Sequence, residues 1–317
     1  MRFSVEPNYA GWRLDRYLQE KIRRLSRERV QRLIAERLES ADGRRLKPST
    51  RVTPGLAFAL LKDAEPEPET PLEFGVVHDD GALLVVDKPA GLPVHPTARY
   101  SAHTFTTLAR ARFPERKVDP AHRLDRETSG LLACGSAPEH TSRLKRDFAQ
   151  GRVRKTYLAL ALGAPDGDAF TVDAPLRLSG ASAVRVRMHV DPEGLPSATD
   201  FEVLERRSAP DGAPVVLLAC RPRTGRQHQI RAHLLHAGLP MVGDKIYGPD
   251  ETNFDRFTRH AMTDDDRASL RLPRHALHAW RLELPHPRTR APVGLESPLA
   301  ADLAAFWEAC RAEEVAP

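Results

Sequence analysis

Apolar residues recur over the first part of the chain with the period of a helix. In RLDRYLQEKIRRL, residues 13–25, Leu14, Tyr17, Leu18, Ile22 and Leu25 fall on one stripe, which predicts an amphipathic helix. Ser26 stands where an N-cap belongs, ahead of a second helix, RERVQRLIAERL, with Val30, Leu33, Ile34 and Leu38 on its apolar side. The arginines of both segments lie largely off these stripes. A turn at Asp42-Gly43 and a short β segment over 56–61 complete a first unit, residues 1–62.

From residue 75 the pattern is that of strands. VVHDDGALLVVDKPAGLPVHP, residues 76–96, reads as a β segment, a turn at Asp80-Gly81, an apolar run over 83–86 and the breaker Lys88-Pro89-Ala90-Gly91. Helical spacing returns over 102–112 and in PEHTSRLKRDFAQG, residues 138–151. Strands are predicted over 129–134 and in KTYLALALG (155–163), AVRVRMHV (183–190), SATDFEVLER (197–206) and PVVLLACRP (214–222). Strands that follow one another through short turns, rather than alternating regularly with helices, predict an α+β domain around a mainly antiparallel sheet flanked by helices. Between the two patterns DAEPEPETPLEF alternates Glu with Pro, which predicts an extended linker. The expected organisation is therefore a small unit over 1–62, an acidic linker over 63–73 and a larger domain over 74–311.

Charge sharpens this division. Residues 1–62 carry fifteen Lys and Arg against seven Asp and Glu, and residues 63–73 none against five, within a chain of net charge +5. A localised basic face suits a polyanion, because each neutralised phosphate releases counterions. The competing reading is a solvated helix face.

Several classes lose support. There is no run of eighteen apolar residues and no secretory signal at the N-terminus, so no membrane partner is expected and the cytoplasm is the expected location. Cys134, Cys220 and Cys310 stand far apart and form no CxxC pair, which argues against a disulfide framework or a zinc knuckle. His228, His233, His236, His275 and His278 include no HExxH, so no metal is expected. GxGxxG after a strand and GxxxxGK[ST] are both absent.

Two stretches carry candidate chemistry. In HRLDRETSG, residues 122–130, Asp125 stands among arginines. A neighbouring guanidinium keeps a carboxylate ionised at neutral pH and fixes its direction, which suits a nucleophile or general base, and equally a structural ion pair. The second stretch is RPRTGRQHQIRAHLLHAGLPMVGDKIYG, residues 221–248. Its strand-turn-helix junction gathers Arg223, Arg226, His228, Gln229 and Arg231 near one helix N-terminus, an arrangement that binds anions.

Taken in order, HRLDRETSG, KTYLALALG, RTGRQHQIRAHLLHAGLPMVGDKIYG and RHALHAWRLELPHP, preceded by VVDKPAGLPVHP, resemble the RluA-type family of RNA pseudouridine synthases. The first unit resembles the small RNA-binding domain shared by a ribosomal small-subunit protein and several RNA-modifying enzymes. The resemblance implies that Asp125 is the essential aspartate and that Tyr157 packs on the target base and assists proton removal. It further implies that Arg226 pairs with the aspartate, and that Arg123, Arg223, His228, Gln229 and Arg231 contact RNA. No cofactor or metal is implied. The implied substrate is large-subunit ribosomal RNA, with transfer RNA second. The chain departs from the family at Leu239, at Arg290 and over 253–271, a polar stretch expected to be a surface insertion. Two other classes stay open on residue chemistry, a catalytically silent RNA-binding or ribosome-assembly factor and an RNA hydrolase or glycosidase.

Overall fold

The structure, a computed structural model, describes residues 1–312 other than 23, 24, 62–66, 98, 181, 183 and 249. Part of the expected linker, 63–66, lies outside the described residues. The chain divides into two compact units, Met1–Pro66 and Glu67–Pro317. Glu67 belongs to the second, its carboxylate accepting the backbone N–H groups of Ser101, Ala102 and His103 at 2.6–2.9 Å.

In the first unit the helices are Leu14–Lys21 and Arg27–Arg37. Ser26 caps the second, its Oγ accepting the Arg29 N–H at 3.3 Å. Strands Arg2–Ser4, Ala57–Leu60 and Leu38–Ser40 form an antiparallel sheet in that order. Leu14, Tyr17, Leu18, Val30 and Ile34 bury the predicted stripe against Val52 and Phe58. Asp15 is buried among Arg13, Arg27 and Gln31, so two of the basic residues serve the unit's own interior.

The second unit is built on a large sheet whose main path runs Arg311–Ala312, Ala198–Ser208, Pro214–Pro222, Arg154–Leu162, Leu277–Pro285, Ser129–Gly135, Leu83–Lys88, Gly75–Asp79. Among the described residues only the contact of Leu277–Pro285 with Ser129–Gly135 is parallel. The central strands read as continuous apolar runs because both faces are covered. Leu84, Val86, Leu132 and Cys134 point into one core with Phe105 and Ala109 of the helix Phe105–Arg112. Leu83, Val85, Leu131 and Ala133 point into the other, with Leu144 of the helix Pro138–Ala149. The two-residue period of a strand is thus present but hidden in the composition, and each buried Leu, Val or Phe among them contributes about 1.5–3 kcal/mol of burial.

Two local expectations are corrected. Among the described residues of AVRVRMHV only Met188–Val190 form a strand, paired with Leu176–Leu178. Before it the Arg187 N–H donates to the Val184 carbonyl at 2.9 Å and closes a turn. The polar stretch 253–271 contributes two short helices, Thr252–Thr258 and Asp264–Leu270. It is not wholly superficial, since Asn253 and Leu270 are buried and the Phe257 ring lies 4.6 Å from Lys245 Nζ.

The parallel contact sets a steric condition at the end of HRLDRETSG. Gly130 lies opposite Ala279 with φ +103°, and a Cβ there would sit 2.3 Å from the Ala279 carbonyl oxygen. Gly130→Ala is expected to lower stability by at least about 2 kcal/mol, measured by urea unfolding. A change below about 0.5 kcal/mol would mean that the two strands separate at no cost.

Candidate active site

Residues 122–128 link the bridge strand Asp119–Pro120 to Ser129–Gly135, and their side chains divide between core and cleft. His122 turns inward, stacked on Phe148 with centroids 4.5 Å apart and its Nε2 accepting the Ala133 N–H at 3.0 Å. Burial and the charge of Lys155 push its pKa down to about 3, so it is a neutral packing group. Leu124 is buried and Arg123 exposed. The turn closes through the Thr128 N–H donating to the Asp125 carbonyl at 3.1 Å.

The rest of the motif is scaffold. Lys88, fully buried, donates to the carbonyls of Pro89 (2.8 Å), Leu92 (3.0 Å) and Arg126 (3.2 Å). The Gly91 N–H also donates to the Arg126 carbonyl, at 2.8 Å. The DKPAG segment thereby fastens the backbone one residue beyond Asp125. Burial pulls the Lys88 pKa down to about 7, while three carbonyls match the three N–H donors of an ammonium. Glu127 accepts Lys245 Nζ at 3.0 Å, and Thr128 Oγ1 meets His275 Nε2 at 2.8 Å.

The second wall is the junction after Pro214–Pro222. The helix Gln229–His236 follows a non-glycine residue in the left-handed region, His228 with φ 53°, a conformation that few side chains adopt. The Gln229 amide holds this turn. Its Oε1 accepts from Thr224 Oγ1 (2.7 Å) and the Arg226 N–H (3.0 Å), and its Nε2 donates to the Ala198 carbonyl (2.9 Å) and Thr199 Oγ1 (3.0 Å).

Arg231, on the same helix, is the cation of the site. Nε and Nη2 donate to the two oxygens of Asp244 at 2.6 and 2.8 Å, and Nη1 donates to Asp125 Oδ2 at 3.0 Å. Asp244 Oδ1 also accepts the N–H groups of Ile246 and Tyr247 at 2.9 and 3.0 Å. The Tyr247 ring lies 5.0 Å beneath the guanidinium. Burial opposes the charged form of Asp125, but the positive charges of His228 and Arg231 outweigh it and hold the pKa below the ordinary value. Burial pushes His228 itself down to about 4, which leaves Arg231 as the charge near neutral pH.

Tyr157, on the strand Arg154–Leu162, forms part of the wall between these elements. Burial and the Asp125 charge push its phenol pKa up, so the hydroxyl is a proton donor rather than a base at neutral pH.

One cleft of about 1230 Å³ is lined by every residue the sequence singled out: Arg123, Asp125, Tyr157, Arg223, Arg226, His228, Gln229 and Arg231. Their placements differ from expectation in four respects. Arg231, not Arg226, pairs with Asp125, because residue 231 lies on the helix facing the turn. Arg226 precedes that helix and is exposed, with Nε on the Pro196 carbonyl at 3.3 Å. Gln229 has all four hydrogen-bonding positions occupied within the protein, so it has none left for RNA. Arg223 forms a two-pronged pair with Asp200 at 2.6 and 2.8 Å. Lys88, Asp244 and Tyr247 are the residues that sequence reasoning passed over; all three sit in the quoted DKPAG and GDKIYG segments. Of the candidate metal histidines, His233 is engaged by Thr199 and Ala174, and His278 by Ser129 and Ser297. Among the described residues there is no group of three or more metal-type side chains.

Comparison with known proteins places this cleft in a family. Residues 82–236, which contain all eight lining residues just named, match the RNA pseudouridylate synthase family. Ribosomal large subunit pseudouridine synthase D of Nitrosomonas europaea is 35% identical over 321 residues, 98% of this chain and 88% of that protein. Its namesake in Pseudomonas aeruginosa is 34% identical, covering 92% and 90%. Among solved structures, human RNA pseudouridylate synthase domain containing 1 is 26% identical with a TM-score of 0.62, over 80% of this chain and 94% of that one. Identity sustained over nearly the whole length, with the same fold beneath it, means that the chain belongs to the RNA pseudouridylate synthase family of RNA-modifying enzymes.

Proposed function

We propose that this enzyme isomerises uridines of large-subunit ribosomal RNA, with Asp125 as the reacting carboxylate. The observation that carries the reading is the state of Asp125: ionised, with Oδ2 held by Arg231 and one side open to a cleft that also holds Tyr157. The relatives' names supply the choice of RNA.

In the isomerisation the uracil N1–C1′ bond breaks and a C5–C1′ bond forms; the C5 hydrogen leaves as a proton and N1 gains one. An ionised carboxylate serves either route, attack on C1′ or removal of the C2′ proton. The uridine must first leave its stack, at a cost of a few kcal/mol. The cleft exceeds the roughly 300–1,000 Å³ of a small-ligand pocket, room for a flipped nucleotide and part of its backbone. Tyr157 contributes a ring face and a hydroxyl donor to the base. Arg123 and Arg226, exposed on the cleft, contact phosphates, and the basic first unit adds affinity rather than chemistry.

Asp125→Asn is expected to abolish tritium release from ribosomal RNA labelled at uracil C5, while RNA affinity stays within about threefold. A large loss of affinity would favour a structural ion pair, and free uracil or chain cleavage by the wild type would indicate a hydrolase. Mapping pseudouridines in cells lacking the protein tests the substrate; loss from transfer RNA alone would overturn the ribosomal assignment.

The two arginines are expected to behave differently. Arg231→Lys should cost at least tenfold in rate and also lower the melting temperature, because an ammonium cannot span Asp244 and Asp125 as the fork does. Arg226→Lys should change rate and affinity by no more than about threefold, consistent with a phosphate contact. Equal losses in the two variants, read by single-turnover kinetics, would contradict this division.

A further inference from the structure

His228 has a defined part in this arrangement that the reaction scheme leaves unused. Its side chain is 8% exposed. Nδ1 lies 3.0 Å from Tyr247 Oη, and Nε2 lies 3.7 Å from Asp125 Oδ2. The protonation pattern follows from the hydroxyl. Tyr247 Oη already accepts the Met188 N–H at 2.7 Å, and the hydroxyl's own proton has Nδ1 as its acceptor among the described residues. A neutral imidazole that accepts at Nδ1 carries its proton on Nε2. That nitrogen is the one 3.7 Å from Asp125 Oδ2.

The surroundings keep the ring neutral. The charged groups acting on His228 from the elements packed around it are Arg231, Asp244, Asp125 and Arg123, and the Tyr247 ring meets it edge-on with centroids 5.6 Å apart. Burial, reinforced by Arg231, outweighs the two carboxylates and disfavours an imidazolium.

The carboxylate is held unevenly as a result. Oδ2 receives the Arg231 Nη1–H and has the His228 Nε2–H nearby, whereas Oδ1 has no hydrogen-bond partner among the described residues. We propose that His228 is a positioning residue for Asp125: Tyr247 fixes it as the Nε2–H tautomer, and that N–H closes onto Oδ2 when RNA fills the cleft, leaving Oδ1 as the oxygen that meets the ribose. The inference rests on Asp125 being the reacting carboxylate. A separation of 3.7 Å is too long for a hydrogen bond, and contacts of this kind tighten in the substrate complex. His228 itself adopts the left-handed backbone conformation.

Two substitutions in the full chain separate this role from simple anchoring. Asparagine tolerates the left-handed backbone and places an acceptor near the Nδ1 position, but its amide does not reach Asp125. Glutamine places an N–H near the Nε2 position and gives up the bond to Tyr247. His228→Asn is expected to lower kcat about 10- to 100-fold, the worth of a hydrogen bond to a charged group, with KM and RNA affinity within about threefold. His228→Gln is expected to stay within about threefold of wild type. Normal turnover in the Asn variant, equal losses in both, or a slower Gln than Asn variant would overturn the proposal. Should the Asn variant fail to fold, Tyr247→Phe decides with the imidazole intact: a fall in kcat at unchanged RNA affinity upholds the tautomer assignment, and a normal kcat overturns it. Asp125→Asn, run alongside, separates the two levels. If that variant still turns over, the reading of Asp125 has failed; if it is inactive while His228→Asn is normal, only the role of His228 has failed.

Discussion

One guanidinium shared by two carboxylates sets the conditions for the rest of the site. Arg231 is fully charged where water hardly reaches it, and a buried charge is tolerated only with partners whose geometry is close to ideal. Asp244 supplies the planar, two-pronged match, and its own second layer of bonds, the N–H groups of Ile246 and Tyr247, keeps that carboxylate from turning. The third prong is then fixed in direction before any substrate arrives, and Asp125 takes its orientation from it. Asp125 is thus located by a chain of contacts running from the turn at 241–248, through the helix Gln229–His236, to the turn at 122–128. Two of these segments are near neighbours in sequence, the turn at 122–128 lies about a hundred residues before them, and each is short.

Around that chain the charged stretch HRLDRETSG resolves into a division of labour. Only Arg123 and Asp125 give their charged groups to the cleft in this structure, while His122 packs, Glu127 and Thr128 bind neighbouring side chains, and Gly130 lets two strands meet. Lys88 does for the backbone what Arg231 does for the side chain: it gathers carbonyls from both sides of the turn. A motif rich in charged residues is in this case mostly framework, and its polarity reflects how many buried partners a sharp turn beside a cleft must satisfy.

How much of this could be read from the sequence follows from the range of the forces involved. Helical stripes such as Leu14, Tyr17 and Leu18, the cap at Ser26 and the apolar runs at 83–86 and 129–134 are local, and local pattern identifies them. The turn at 184–187 defeats the alternation of AVRVRMHV because one backbone hydrogen bond outweighs a weak strand preference. Which of two arginines five residues apart reaches Asp125 depends on where the helix begins, a matter of one turn set by the Gln229 amide and by the unusual backbone of His228. Composition carries no trace of that. The two helices within 252–270 are likewise illegible as packing elements, since each is short and their contribution is scattered over Asn253, Leu270 and the Phe257 ring set against Lys245.

The shared guanidinium also has a consequence for what enters the cleft. Deep in it two carboxylates share one arginine beside a neutral histidine, whereas Arg123 and Arg226 are exposed and form no salt bridge among the described residues. A polyanion approaching this surface meets those exposed guanidiniums first, whereas the Arg231 guanidinium is already committed to two carboxylates. The cleft thus offers backbone phosphates its exposed arginines and not its buried one.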